Sequence, residues 1–371
     1  MVRVLLDGVI YGLQEFGGIS RCFTENCIRL GFHCNGIKLI LHLPAGCRAK
    51  TPEAKWIKQI RDSSLWPQRI FRGVCEGASK AMIRMLHPQI FHSTYYTLPY
   101  WSGLRSVVTV HDFIHERFPA LLGGNAHQFI EHKRNVIESA DAVVAVSQST
   151  KDEILTYTKA EESKIVVIYH GVNDAFLTAS PSEADIRIFR ETHKIDGPYW
   201  LYVGNRGHYK NFGTLLRAFV RVARETGGYL VAVGGENKLE PWQVDLLIKN
   251  RLEQRVRLLH AMDDDDLEVA YAGAAAFVFP SLMEGFGIPL LEAMAVGTPI
   301  VASDIPVFRE VAGEAALFFD PYDEKGLATA MIKILDESVR GNLMEKGRKR
   351  VIEFSWDTST RKLGDVYKGL V

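Results

Sequence analysis

Short, nearly continuous apolar runs recur along the chain: Val2 to Leu6, Ile37 to Leu41, Ser106 to Val110, Ala142 to Val146, Ile165 to Tyr169, Trp200 to Val203 and Tyr229 to Val233. A strand with one wet face alternates polar and apolar positions, whereas a strand covered on both faces has no polar side to show. Between the runs, apolar positions fall at helical spacing. Buried strands joined by helical crossovers predict parallel sheets, and so an α/β, doubly wound class.

The pattern breaks near Leu177 to Glu191, where Thr-Ala-Ser-Pro-Ser-Glu-Ala-Asp separates the run at Ile165 from a fresh strand at Trp200. The 371 residues also exceed the roughly 250 to 300 at which single cores stop growing. Two domains follow, 1–180 and 181–353. After Phe354 a last helix carries Trp356, Leu363, Val366 and Tyr367 near one face. That face predicts that 354–371 packs back on the N-terminal domain.

Composition narrows the function classes. With 47% apolar and 24% charged residues the chain is of the folded, globular kind. Lys plus Arg and Asp plus Glu each total 44. No global field draws in nucleic acid, so an anionic ligand needs a local cluster of cations. Arg3 and Asp7 interrupt the first apolar run, against a secretory signal, and Gly273 and Pro280 break the charge-free stretch between Glu268 and Glu284, against a membrane span. The five cysteines (22, 27, 34, 47 and 75) form no Cys-x-x-Cys pair. Neither a disulfide framework nor a zinc site is expected, and a cytoplasmic location is.

The most informative stretch is Phe277-Val-Phe-Pro-Ser-Leu-Met-Glu284-Gly285-Phe286-Gly287-Ile288-Pro289-Leu-Leu-Glu292, followed by Gly297-Thr-Pro. It reads as strand, glycine loop, helix. Pro289 suits a first helical turn, so the backbone amides at Gly285, Phe286, Gly287 and Ile288 are expected at a positive helix terminus open to phosphate or sugar oxygens. Eight positions along a helical path correspond to about 12 Å, so Glu284 and Glu292 suit the two hydroxyl clusters of one long ligand, a hexose and a ribose on either side of a diphosphate. Taken alone, each glutamate reads equally as dipole complementation or a solvated helix residue. A second loop, Gly204-Asn-Arg206-Gly-His-Tyr-Lys210, leaves a buried strand and opens a helix. Arg206 offers a planar fork and Lys210 a compact charge, a pair able to neutralise a diphosphate without a metal, though two solvated loop cations would look the same.

These residues resemble the retaining family-4 glycosyltransferases, which adopt the GT-B fold of two Rossmann-like domains facing a cleft. The resemblance spans most of the chain. It implies that Glu284 contacts the donor sugar, Glu292 the nucleotide ribose and Lys210 the diphosphate; the family's arginine is displaced here from the residue after Gly204 to Arg206. Gly17-Gly18-Ile-Ser-Arg21 resembles the family's donor-phosphate and acceptor loop. His111, ending the run Val107 to Val110, matches the histidine that faces the donor sugar. Ser147-Gln-Ser-Thr and His170-Gly171-Val172 are similar to family segments but read equally as helix-cap and turn chemistry.

Asp263 to Asp266 looks like a metal site but reads better as a helix N-cap, and Gly234-Gly235 as a strand-end turn. Residues 48–84 hold nine cations against three acids, interleaved with Trp56, Ile57, Ile60, Trp66, Ile70 and Phe71. That composition suits either peripheral contact with anionic lipid, at the inner membrane face, or a solvated basic face over buried aromatics.

The resulting expectation is a metal-independent, retaining hexosyltransferase. It would move a hexose from a nucleotide sugar, with uridine as the base, to a saccharide or lipid-linked acceptor in polysaccharide or glycolipid synthesis. An epimerase of the same fold and a non-catalytic nucleotide-sugar-binding subunit are the alternatives. A nicotinamide dehydrogenase is disfavoured, because no Gly-x-Gly-x-x-Gly follows the first strand.

Overall fold

The computed structural model describes residues 1–14, 17–45, 47, 49–62, 72–235, 238–260 and 262–371. The chain divides into two compact units, Met1–Gly171 with Ser355–Val371, and Val172–Phe354. Each is built on one parallel sheet covered by helices.

The first sheet contains β1 (Val2–Leu6), β2 (Ile37–Leu43), β3 (Ile57–Arg61), β4 (Ile90–Ser93), β5 (Arg105–Val110), β6 (Ala142–Ala145) and β7 (Ile165–Val167). Their order is β3-β2-β1-β4-β5-β6-β7, all parallel. The strands β4 and β6 are wholly buried, and β1 and β5 are buried from Val4 and Val107 onward, where the apolar side chains concentrate. The edge strand β3 is less covered, with only Ile60 buried and Lys58 and Arg61 exposed.

The second sheet contains β8 (Tyr199–Val203), β9 (Tyr229–Val233), β10 (Val256–Leu259), β11 (Ala276–Phe279), β12 (Ile300–Ser303) and β13 (Ala316–Phe319). Their order is β10-β9-β8-β11-β12-β13, again parallel. In a sheet of this kind, crossovers leave in opposite directions from one pair of neighbouring strands, and a crevice opens there at the carboxyl edge. Those pairs are β1 with β4 in the first unit and β8 with β11 in the second.

The border between units falls at Gly171 and Val172, earlier than the 180/181 boundary expected from composition. The reason lies in the short helix Asp174–Thr178, whose Phe176 is fully buried against Tyr271 of the second unit. Asn173 Nδ2 adds a 2.8 Å bond to Asp264. The polar stretch at 178–185 is thus internal to the second unit, where Ser182 and Asp185 form a capping box on the helix Glu183–Thr192.

The last helix, Trp356–Gly369, lies in the first unit against the helix Gly18–His33. Thr360 and Ser359 donate to Asn26, and Tyr367 bonds His92 Nδ1 at 2.6 Å beneath the sheet. At Gly364 a side chain would run into Cys34, so only a hydrogen fits that contact.

Candidate active site

In the second unit the crevice pair β8 and β11 delivers the two loops singled out in the sequence. After β8, residues 208–210 make one tight turn and Asn211 takes a left-handed conformation, φ 57°, that begins the helix Phe212–Thr226. Asparagine tolerates that region better than most residues. Its side-chain amide reaches across to the carbonyls of Pro280 (3.0 Å) and Pro321 (2.8 Å), while the amide of Leu282 donates to the Tyr209 carbonyl at 2.7 Å. The loop after β8 is therefore laced to the loop after β11.

That lacing brings Lys210 onto Glu284. Lys210 Nζ lies 2.7 Å from Glu284 Oε1, which also accepts from Ser281 Oγ at 2.7 Å. Both charged side chains are largely buried, so their attraction is screened less than that of a surface pair. The ion pair is itself a reserve of site chemistry. An incoming anion can take over the ammonium, and sugar hydroxyls can take over the carboxylate.

Past Glu284, the helix Ile288–Val296 starts at Gly287, with Pro289 in its first turn and no carboxylate there. The left-handed φ of Gly287, 104°, is strained for any L side chain, and an added Cβ would press on Leu290 and Phe308 at 3.2 Å. Phe286, expected to offer its backbone amide, has its ring buried edge-on to Phe354. A large apolar ring is driven into the core, so only its backbone is left for ligand contact. Glu292 sits on the same helix at 4% exposure, and Tyr271 donates to its Oε2 at 3.1 Å. A carboxylate at that depth needs fixed donors, and Tyr271 supplies one.

Arg206 is anchored differently from Lys210. Its Nη1 donates to the Gly234 carbonyl at 2.8 Å, tying the end of β8 to the glycine turn after β9. Gly234 itself takes φ 91°, which lets the two loops approach closely. The Gly234-Gly235 turn and Arg206 thus form one strand-end platform. Asp263 is the cap of the helix Asp264–Ala272, accepting from the amide of Asp266 at 3.0 Å.

In the first unit the pair β1 and β4 is marked by Asp7, which sequence reasoning passed over. Its carboxylate is buried and accepts from the amides of Val9 and Thr94 and from the hydroxyls of Thr94 and Thr97. Desolvation nonetheless pushes its pKa above the ordinary value, against the lowering effect of those donors. The chain after β1 leads to Gly17, the cap residue of the helix Gly18–His33, which has no acid in its first turn.

His111 ends β5, the neighbour of β4. It is 6% exposed, its amide donates to Tyr96 Oη at 3.3 Å, and its ring stacks at 6.4 Å on His170. Burial holds its pKa well below the usual histidine value, reinforced by His170, His92 and Lys133, so the ring is neutral at physiological pH. Among the described residues its Nε2 has no hydrogen-bond partner. A neutral imidazole with one buried, unpartnered nitrogen at a sheet's carboxyl edge has the chemistry to serve a hydroxyl as donor or acceptor.

Two family models divide the chain between them: Glycosyltransferase Family 4 matches residues 17–176 and Glycosyl transferases group 1 matches residues 185–352. The O-antigen chain mannosyltransferase RfbU of Salmonella typhimurium is 30% identical over 260 residues, 69% of this chain and 68% of the relative. This chain is a glycosyltransferase of that family. The O-antigen chain mannosyltransferase B of Escherichia coli is 29% identical over 303 residues, 77% of this chain and 78% of the relative. Among solved structures, sucrose-phosphate synthase from Thermosynechococcus elongatus superposes with a TM-score of 0.80 at 22% identity, covering 100% of this chain and 99% of that one. Anabaena Alr3699/HepE in complex with UDP and glucose gives 0.74 at 16% identity over 98% of both chains. The glycosyltransferase has the GT-B fold, two Rossmann-like parallel-sheet domains.

Lys210 and Glu284, read from the sequence as contacts to two different parts of one ligand, are brought together by the fold as an ion pair at 2.7 Å. Ser281, Asn211 and Tyr271 were missed, although spacing could have found Ser281, three residues before Glu284. Tyr271 belongs to another helix, and only the fold brings it to Glu292.

Proposed function

We propose that this glycosyltransferase moves a hexose from a nucleoside diphosphate sugar to a saccharide or lipid-linked saccharide, with retention at the anomeric carbon, in polysaccharide or glycolipid synthesis. The observation that carries the reading is the Lys210–Glu284 ion pair at the β8/β11 crevice, beside the uncapped helix that begins after Gly287. Lys210, aided by Arg206 and the amides near Gly287, would meet the diphosphate. Glu284 would hold the sugar hydroxyls, and Glu292, fixed by Tyr271, the ribose. His111 would face the donor sugar. Support for the hexose and the polymer comes from the names of the relatives, O-antigen mannosyltransferases, and support for uridine from the UDP and glucose bound to Anabaena HepE.

In the step itself the bond from the anomeric carbon to the diphosphate oxygen breaks and a bond to the acceptor oxygen forms on the same face. The acceptor's proton passes to the departing diphosphate. Lys210 stabilises the charge that grows on that leaving group, which is the largest contribution fixed cations make to such a reaction. No protein nucleophile and no metal are assigned a part.

A thermal-shift panel of UDP- and GDP-hexoses, followed by product analysis with saccharide acceptors, tests the assignment. A stabilising donor together with an acceptor-dependent glycoside is the expected result. Free nucleotide and an epimerised sugar without acceptor would instead make it an epimerase. Donor binding without turnover would make it a binding subunit.

The basic segment 48–84 gives a separate expectation of peripheral binding to anionic lipid. Trp66, Arg69, Ile70 and Phe71 lie outside the described residues. Trp56 is committed to packing, with Nε1 donating to the Cys27 carbonyl at 2.8 Å and its ring against Phe32. Among the described residues no helix is long and apolar enough to cross a membrane. Cosedimentation should show retention on anionic vesicles at low salt and release as the Debye length shortens toward ~3 Å at 1 M. Equal binding to neutral vesicles would remove the role of the cations.

A further inference from the structure

A lysine buried without access to water is rare, because the ammonium loses its hydration. Lys133, on the helix Ala126–Ser139, is 0% exposed. Its Nζ donates to the Asp112 carbonyl at 2.6 Å and to Glu116 Oε2 at 3.0 Å, and it lies 4.1 Å from the centre of the Phe113 ring and 5.1 Å from that of Tyr96. Every one of these contacts is to the segment just after His111 or to the tyrosine whose hydroxyl receives the His111 amide. The next residue back, His132, bonds the Tyr96 carbonyl at 2.9 Å. One turn of helix thus clamps two loops, those after β4 and β5, at the edge where ligands bind. Tyr96 is held in the left-handed region, φ 51°, a conformation unfavourable for a bulky residue and retained only where its surroundings impose it.

We propose that Lys133 is a positioning residue for His111, fixing the 111–116 segment so that the unpartnered Nε2 of the imidazole is held for the bound substrate. A merely structural core position would be filled more favourably by an apolar side chain, since a buried ion pair is at best a weak source of stability. What the lysine adds is direction: three contacts set the backbone that carries His111, and its charge, after burial and the two neighbouring histidines, adds to the forces that keep the ring neutral. The proposal rests on the reading that His111 faces the donor sugar.

The test is a charge-free replacement, Lys133→Met with Glu116→Met, which leaves no buried ion uncompensated and keeps the volume close to the original. Lys133→Met alone strands the 7%-exposed side chain of Glu116 and is the variant more prone to misfold. In the folded double variant, kcat should fall about 30-fold while KM for the donor and affinity for free UDP change less than about threefold. The His111 ring resonances of isotope-labelled protein should shift from their wild-type positions at pH 7. Ring resonances that coincide with the wild type, in a folded double variant, overturn the proposal whatever the activity. Undiminished kcat in the double variant also overturns the proposal where His111→Ala is inactive, whereas a fully active His111→Ala locates the failure in the role given to the histidine.

Discussion

Lys210→Ala is expected to lower kcat by about 100-fold or more, because the charge lost is the one that balances the leaving diphosphate as it departs. The fold should survive. Lys210 sits on a loop, and Asn211, which laces that loop to Pro280 and Pro321 through its own side chain, is untouched. Glu284 keeps Ser281 as a donor but loses its counter-charge. Leaving a largely buried carboxylate short of one partner costs about 1 to 3 kcal/mol of stability, a shift readable by thermal melting. Rates taken well below the variant's melting temperature separate the two effects. Near wild-type turnover in a folded Lys210→Ala protein would remove the lysine from the reaction. Lys210→Arg should not restore full activity, because a planar fork cannot occupy the position of a compact ammonium 2.7 Å from one carboxylate oxygen.

The fold was legible where the physics is local. Strands buried on both faces announce themselves as nearly continuous apolar runs, and Val2–Leu6, despite Arg3, and Tyr229–Val233 begin and end where the pattern says. The helix start at Ile288 follows from Pro289 and the preceding glycines, and the cap at Asp263 from its spacing to Asp266. The unit border was misplaced because composition marks polar stretches, whereas a boundary is set by where apolar side chains are buried. Phe176 decides it. For Phe286 the sequence speaks only of its backbone amide; the direction of its ring, edge-on to Phe354, depends on the core behind the loop. Asp7 with Thr94 and Lys133 with Asp112 join residues 87 and 21 positions apart, and nothing periodic connects them. Such buried polar networks become visible only when the parallel order β1-β4-β5 places their loops side by side.

The two glutamates should fail in different ways, and the geometry sharpens the contrast. Glu292 is held at 4% exposure by Tyr271 and is assigned to the ribose, a part of the donor that does not change during transfer. Interactions with remote, unchanging parts set binding more than rate. Glu292→Gln should therefore weaken donor and free UDP alike, by about 10-fold, with a smaller effect on kcat. Glu284 is assigned to the hexose, whose ring changes shape as the anomeric bond opens. Glu284→Ala should reduce kcat by about 100-fold or more. Its effect on free UDP has a sign fixed by the ion pair: without Glu284, Lys210 no longer has a carboxylate at 2.7 Å competing with the diphosphate, so affinity should hold or increase. Isothermal titration with UDP, which lacks the hexose, measures this directly. Loss of UDP binding by a folded Glu284→Ala protein would mean that the carboxylate orders the diphosphate site itself, with Lys210 as its dependent, and the sugar would have to be assigned to other residues.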